Sequence, residues 1–365
     1  MKVQVTQENL AKALNTVGKV ASGRATLPIL SNVLIKTVDH RLQISATNLE
    51  IALTITIGAK VVDEGAVTVP ARLMSEFVSS LPTGNIELTL EDNKLHIATT
   101  SYKSTINGSP VEDYPSLPSI TSNQSYTLKP QDLKKALQQV IIAASHDETR
   151  PVLTGVYFHT HENNLYIVST DSYRLAEKRL IPLDSDVQMI VPASSMQELL
   201  RVMQDGDTDI SVVFDEQQVR FTFGETELIT RLIDGKYPDY RQLIPRQSDM
   251  HFTIDRGEFI TITKVSSLFA RESAGSITLH IDSEKGVVEI QSVASQVGEN
   301  TATAEAEITG SGDVTLNSKY LLDALNAMSD DRVTFSFGGK LSPCILTSAD
   351  PKSDSYVHVV MPLRS

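Results

Sequence analysis

Few residues in this chain combine a chemistry-bearing type with a working spacing. His159 and His161 stand two apart in an alternating run, so both imidazoles project from one face of a strand as two zinc ligands would. A third ligand at suitable spacing is missing, and an exposed hairpin pair is the simpler reading. Gly310-Ser-Gly312 lacks the third glycine and the strand-to-helix context of a dinucleotide loop. Cys344, which follows Pro343, falls in a predicted strand, where a thiol is ordinarily buried and inert. No nucleophile, base and orienting acid recur together, so the sequence predicts neither an enzyme nor a metal or cofactor site.

Charge is the remaining chemistry. A net charge of −13 opposes binding to phosphate, which needs a basic footprint. Its distribution is uneven. Six predicted helices, about 8–20, 72–80, 131–145, 194–204, 257–271 and 318–329, hold nine Lys and Arg against six Asp and Glu, which leaves −16 for everything else. Small helices sampling both signs would give such a split, and so would helices that present a basic face to phosphate.

The helices that carry these charges come from a repeat. The apolar quartet Met74, Phe77, Val78, Leu81 recurs as Met196, Leu199, Leu200, Met203 and as Leu321, Ala324, Leu325, Met328, at offsets of 122 and 125 residues. Each has the spacing that puts four side chains on one helical face. A second quartet, Leu10, Ala13, Leu14, Val17, returns as Leu133, Ala136, Leu137, Val140 and more weakly as Phe259, Ile262, Thr263, Ser266, at offsets of 123 and 126. This period is far longer than the roughly 20 to 50 residues of a solenoid repeat, so each copy is a domain-sized unit with its own core. Similar domains joined through similar interfaces form an arc that a second copy can close into a ring.

Each repeat reads alike. A strand opens it at 3–6, 126–128 or 252–254, the first helix follows, and alternating runs at 33–38 with 42–46, 155–159 with 165–169 and 277–281 with 287–291 predict hairpins. The second helix starts after Val69-Pro70-Ala71, Val191-Pro192-Ala193 or Leu316-Asn317-Ser318 and leads to a further hairpin. The fold class is α+β, two helices packed on antiparallel sheets in each repeat. One segment resists: 260–265 is rich in β-branched residues and reads as strand by propensity, so only the repeat makes it helical. The segments at 113–118 and 237–240 are Pro-bearing connectors.

The 365 residues are 41% hydrophobic and 21% charged, enough for three cores, with no apolar run of bilayer length. One cysteine fits a reducing compartment, and the opening residues lack the apolar region of a signal peptide, so a cytoplasmic location is expected.

Five ordered segments then carry a resemblance: Arg24-Ala-Thr-Leu-Pro-Ile-Leu-Ser-Asn32, Val69-Pro-Ala-Arg72, Ser169-Thr-Asp-Ser-Tyr-Arg-Leu-Ala176, Gly235-Lys-Tyr-Pro-Asp-Tyr240 and Val359-Val-Met-Pro-Leu-Arg364. Together they span nearly all of the chain, which resembles the bacterial sliding clamps, the beta subunits of DNA polymerase III. The resemblance implies three DNA-clamp domains, at 1–120, 121–248 and 249–365, that form half of a closed ring. Two chains joined head to tail would line its hole with helices and build its rim from sheets. It implies a processivity factor that encircles duplex DNA independently of sequence. Its partners would be the replicative polymerase, the clamp loader and other proteins carrying a clamp-binding peptide.

It also implies sites. Arg24 and Arg72 are singled out for DNA. Lys12, Lys19, Lys134, Lys135, Arg201, Lys264, Arg271 and Lys319 are further contributors on the predicted helices, each of which also reads as an ordinary solvated charge. The segment 146–152 matches a loop that touches DNA in relatives, but Asp147 and Glu148 are acidic here and Pro151-Val152 replaces a tyrosine pair. The implied partner-peptide pocket is lined by Leu153, Thr170, Ser172, Tyr173, Arg174, Leu175, Pro238, Gln242, Leu243, Pro343, Val359, Val360 and Met361. Ser172-Tyr173 stands where some members carry Gly-His, and Gln242 where some carry Arg. The implied dimer seam sets Ile106 on an edge strand against Leu268 and Phe269.

Overall fold

The computed structural model describes residues 1–21, 27–204, 206, 208–245, 248–294, 298–350, 352 and 355–364. Among them are six α-helices: α1 Gln7–Ala21, α2 Ala71–Ser80, α3 Pro130–Val140, α4 Ala193–Val202, α5 Arg256–Phe269 and α6 Ser318–Ala327. The quartets on α1 and α3 are buried throughout, whereas Phe77 and Leu200 of the other set are only half-buried. The resistant segment is helical. Asp255 caps α5 by accepting the Glu258 N–H at 2.8 Å, and Phe259, Ile262, Thr263 and Ser266 all face the core. Burial of that face outweighs β-branched propensities worth only tenths of a kcal/mol per residue.

Where the sequence predicts helix to residue 145, α3 stops at Val140 and a 3-10 turn, Ile141–Ala143, follows. Side chains take the last carbonyls instead: Tyr356 Oη donates to the Gln139 carbonyl at 3.1 Å and Ser169 Oγ donates to that of Val140. Residues Asp39-His40, Asp92-Asn93 and Glu162-Asn163 each have two positive φ values in succession and close three two-residue hairpins.

The chain divides into two compact units, Met1–Pro130 with Arg201–Leu232 and Gln131–Leu200 with Ile233–Ser365. The first contains a five-stranded sheet ending on the edge strand Lys103–Asn107, and an eight-stranded sheet. In the latter, strand Thr226–Arg231 of the middle repeat pairs antiparallel with Ile51–Ile57 of the first repeat. In this unit α1 lies beside α2, with Asn15 Nδ2 donating to Ser79 Oγ at 3.1 Å.

The second unit holds a four-stranded sheet, with Gly298–Glu305 on one edge, and a nine-stranded sheet. There strand Arg174–Pro182 of the middle repeat pairs with Tyr356–Val360 of the third. The middle repeat is therefore shared between the units because each of its halves continues the sheet of a neighbouring repeat. Pairing between repeats is as regular as pairing inside them, running over five consecutive residue pairs at each junction.

Candidate functional site

The expected pocket residues gather in the second unit around the turn after strand Asn164–Thr170. Asp171 Oδ1 accepts the N–H of Tyr173 at 2.9 Å and of Arg174 at 3.0 Å, while Thr170 Oγ1 donates to the Arg174 carbonyl at 2.6 Å and accepts from Ser172 N–H at 3.1 Å. These bonds hold Ser172 at φ +77°, a left-handed conformation that costs a non-glycine residue about 1 kcal/mol. Leu175 pairs with Val359, and the chain leaves that strand with Met361 N–H donating to the Tyr173 carbonyl at 2.8 Å.

Leu153, Leu175 and Val359 pack in one buried apolar cluster that forms a floor, while Val360, next along the strand, is buried on the opposite face of the sheet and Thr170 is buried beside Leu175. Ser172, Tyr173, Pro238, Gln242 and Leu243 are exposed, and Pro343 and Met361 are half-buried. Tyr173 is 60% exposed and Leu243 46%. An apolar floor with exposed polar and apolar side chains beside it suits a short extended peptide with a hydrophobic anchor.

Arg174 departs from a simple lining role. Only 9% exposed, it bonds Asp171 Oδ2 at 3.1 Å and Asp323 Oδ2 at 2.6 Å and lies over the Tyr320 ring at 4.5 Å. Its charge is consumed in tying the turn to α6. Sequence reasoning missed Asp323 and Tyr320 because they lie about 150 residues from Arg174 and their pairing leaves no local pattern.

The connector is held by a second network. Tyr237 stacks on Tyr157 at 4.7 Å, Tyr157 on His159 at 4.8 Å, and His159 Nε2 lies 2.7 Å from Tyr240 Oη, which donates to Glu177. Arg241 lies 3.2 Å from the same carboxylate and over the Tyr166 ring. The paired His159 and His161 thus serve different ends. His159 is buried and held neutral, its pKa pushed down to about 4 by burial and by Arg241, while His161 is exposed near Glu162. Among the described residues no group of three His, Cys, Asp or Glu side chains could hold a metal. Cys344 is fully buried and its thiol is pushed up to about 12 by burial.

His358, also absent from the sequence reading, lies within this unit with its Nδ1 2.6 Å from Tyr356 Oη. Burial, and secondarily Arg174, push its pKa down to about 3. Arg150, in the loop matched to a DNA contact, turns toward the pocket and donates from Nη1 to Ser172 Oγ at 3.0 Å. Asp147 in that loop accepts from Thr149 Oγ1 at 2.7 Å and from its N–H at 3.0 Å.

Of the expected DNA-contacting cations, Arg24 lies outside the described residues. Arg72 is highly exposed on α2, but its Nε donates to Glu76 at 2.8 Å, one helical turn on, so a carboxylate accompanies its charge. Lys12, Lys19, Lys135, Lys264, Arg271 and Lys319 are exposed, and Lys134 and Arg201 half-buried. At the implied seam Leu268 is 53% exposed and Phe269 half-buried. Ile106 lies on the edge strand, but its side chain is buried in the chain's own core, so that strand offers backbone N–H and C=O groups rather than the Ile106 side chain.

Three family models match in succession: the DNA polymerase III beta subunit N-terminal domain over residues 1–118, its central domain over 127–239 and its C-terminal domain over 241–364. The Beta sliding clamp of Staphylococcus aureus (strain Mu50 / ATCC 700699) is 32% identical over 379 residues, covering 100% of both chains. The DNA polymerase sliding clamp from Bacillus subtilis superposes with a TM-score of 0.95 at 27% identity, covering 100% of this chain and 99% of that one. A sliding clamp from Pseudomonas aeruginosa bound to griselimycin gives a TM-score of 0.94 at 28% identity, with 100% of each chain covered.

Proposed function

The chain belongs to the DNA polymerase III beta subunit family, and we propose that it works as a sliding clamp: a head-to-tail dimer ring that encircles duplex DNA and tethers the replicative polymerase. The clamp loader and other proteins with a clamp-binding peptide share its partner pocket. Beyond family membership, one observation carries this reading: the regularity of the junctions between repeats. The last strand of one repeat pairs with a strand of the preceding repeat, Thr226–Arg231 with Ile51–Ile57 and Tyr356–Val360 with Arg174–Pro182. The corresponding strands of the remaining junction, Lys103–Asn107 and Gly298–Glu305, are sheet edges in the single chain. A second copy satisfies both edges by the same antiparallel pairing, and Leu268 and Phe269 supply the apolar contact beside it.

The mechanism is topological. A closed ring leaves DNA only by opening a protein interface, so its residence does not depend on strong phosphate contacts, and weak contacts permit sliding. The exposed cations of the helices serve that weak attraction, with Arg72 tempered by Glu76. Peptides dock with an apolar anchor over Leu175 and Val359, between Tyr173, Pro238, Leu243 and Met361. Three clamp domains at 1–120, 121–248 and 249–365 are proposed, and the extents of the three family models support them. Among the described residues no helix is long and apolar enough to cross a membrane.

The test loads the protein on nicked circular DNA with a clamp loader and follows retention by gel filtration. Retention should persist from low to moderate salt and vanish when the circle is cut, while direct binding to linear duplex falls steeply over the same salt range. Retention that declines in parallel with direct binding would refute topological linkage.

A further inference from the structure

The turn at the centre of the partner site has a counterpart 123 residues earlier. Thr47 Oγ1 donates to the Ile51 carbonyl at 2.9 Å and accepts from Leu49 N–H at 3.0 Å, and Asn48 Oδ1 accepts the N–H of Glu50 at 3.1 Å and of Ile51 at 2.9 Å. Leu49 stands at φ +79°, as Ser172 does at +77°. Arg231 N–H donates to the Glu50 carbonyl at 3.0 Å as Met361 N–H donates to Tyr173, and Ala52 pairs with Ile229 as Leu175 pairs with Val359. The backbone of the partner site is built a second time, wholly inside the first unit, and Thr47, Leu49, Glu50, Ile51, Ile229 and Arg231 line a cavity of about 220 Å³.

The walls of this cavity have their own chemistry. Ile51 and Ile229 are buried beneath it, Leu49 is 43% exposed, and Leu117 and Pro118 are half-buried. Arg231, in the place of Met361, is exposed, and among the described residues its guanidinium has no hydrogen-bonded or ionic partner. Its cross-strand neighbour Gln218 also lines the cavity, with Oε1 buried and unpartnered among the described residues. An exposed guanidinium with no partner of its own is the strongest carboxylate receptor a side chain offers.

We propose that this cavity is a second docking site, for an acidic peptide segment. Its carboxylate sits on Arg231, and a neighbouring apolar side chain lies against Leu49, Leu117 and Ile229. Glu50, exposed on the rim, orients the segment by repelling the acid toward Arg231. The site rests on its own cavity and charges and shares with the partner pocket only the backbone of the turn.

The test uses the intact protein with labelled Ile, Leu and Val methyl groups and two probes, acetyl-leucyl-aspartate amide and its uncharged twin acetyl-leucyl-asparagine amide. The acidic probe should shift the Ile229 and Leu49 methyl signals saturably. The uncharged twin, and the acidic probe on an Arg231→Glu protein, should each bind about tenfold more weakly, the scale of one charge-assisted hydrogen bond. Arg231→Lys should recover part of the affinity, since the charge returns without the planar fork. Unmoved Ile229 signals in the folded protein, equal binding of the two probes, or unchanged binding to Arg231→Glu would each overturn the proposal. Val359 methyl signals, followed in the same sample with a peptide bearing a Leu or Phe anchor, report on the partner pocket separately, so either reading can fail alone.

Discussion

The turn at 170–174 and the turn at 47–51 are one backbone with two sets of walls. Both use a Thr hydroxyl and an Asx side chain to hold a non-glycine residue at positive φ, and both receive an N–H from the strand of the following repeat. Around them, Arg174 becomes Ile51, Tyr173 becomes Glu50, His358 becomes Leu228 and Met361 becomes Arg231, as the strand registers align them. A repeated fold preserves the hydrogen-bonded frame because every strand depends on it, whereas residues facing the groove are free to change. The comparison predicts that charge inside the second unit, not its backbone, makes it different.

The largest break in that comparison should come from Arg174→Ala. It removes the cation that pairs with Asp171 and Asp323, leaving the partly buried carboxylates without their partner, and should destabilise the protein by about 3 kcal/mol in denaturant titration. Arg174→Lys, which cannot make the two-sided planar contact, should recover less than half of the loss. A loss below about 1 kcal/mol, the scale of an exposed pair, would show that the ties to α6 carry little.

Removal of residues 361–365 should come next. It deletes the Met361 wall and the N–H bonded to Tyr173 while leaving the strand Tyr356–Val360. Affinity for an anchored peptide should fall by about 2 kcal/mol or more, roughly thirtyfold by calorimetry, and polymerase stimulation should be lost with the dimer intact. Arg231→Met would sharpen the contrast, since it gives the first unit the apolar wall of the second.

Acid should separate the two regions further. His159 and His358 stay neutral in the folded protein down to about 4 and about 3, whereas in the unfolded chain they take up protons near 6.5. The unfolded state therefore binds protons first. The histidines' contribution to stability is fully present above pH 6.5 and is lost as pH falls toward 4. His358→Leu copies the residue of the first unit and should flatten the fall in melting temperature between pH 7 and pH 4.5. An unchanged slope would place the acid sensitivity elsewhere.

The smallest effect tests the shared frame itself. Leu49→Gly and Ser172→Gly each relieve a positive φ, and each should stabilise by a few tenths to about 1 kcal/mol, less the loss of the exposed Leu49 side chain. Gains of similar size in both units would confirm one backbone, and destabilisation at Ser172 alone would reveal a side-chain role through Arg150.

The sequence by itself determined the elements and their triplication. Apolar quartets at helical spacing and alternating strand runs are local patterns, and even the β-branched stretch 260–265 was legible as helix once its quartet was aligned with the other two. The pocket residues came from the resemblance of short motifs, and the set includes Leu153 and Pro343, which lie outside those motifs. What the sequence could not show is which of them work by contact and which by support. Arg174 was legible as lining, yet its charge is spent on Asp323, and His159 was legible as half of a hairpin pair, yet it is a buried link to Tyr240. Such pairings join residues about 80 to 150 positions apart, and a pairing at that distance imposes no periodicity on the chain. The cavity at Arg231 has the same origin. Its Gln and Arg look like ordinary strand residues until the sheet sets Thr226–Arg231 against Ile51–Ile57 and brings the two beside Leu49. Local propensity and spacing decide elements, while tertiary packing alone decides which side chains lose water and partners, and that loss fixes their chemistry.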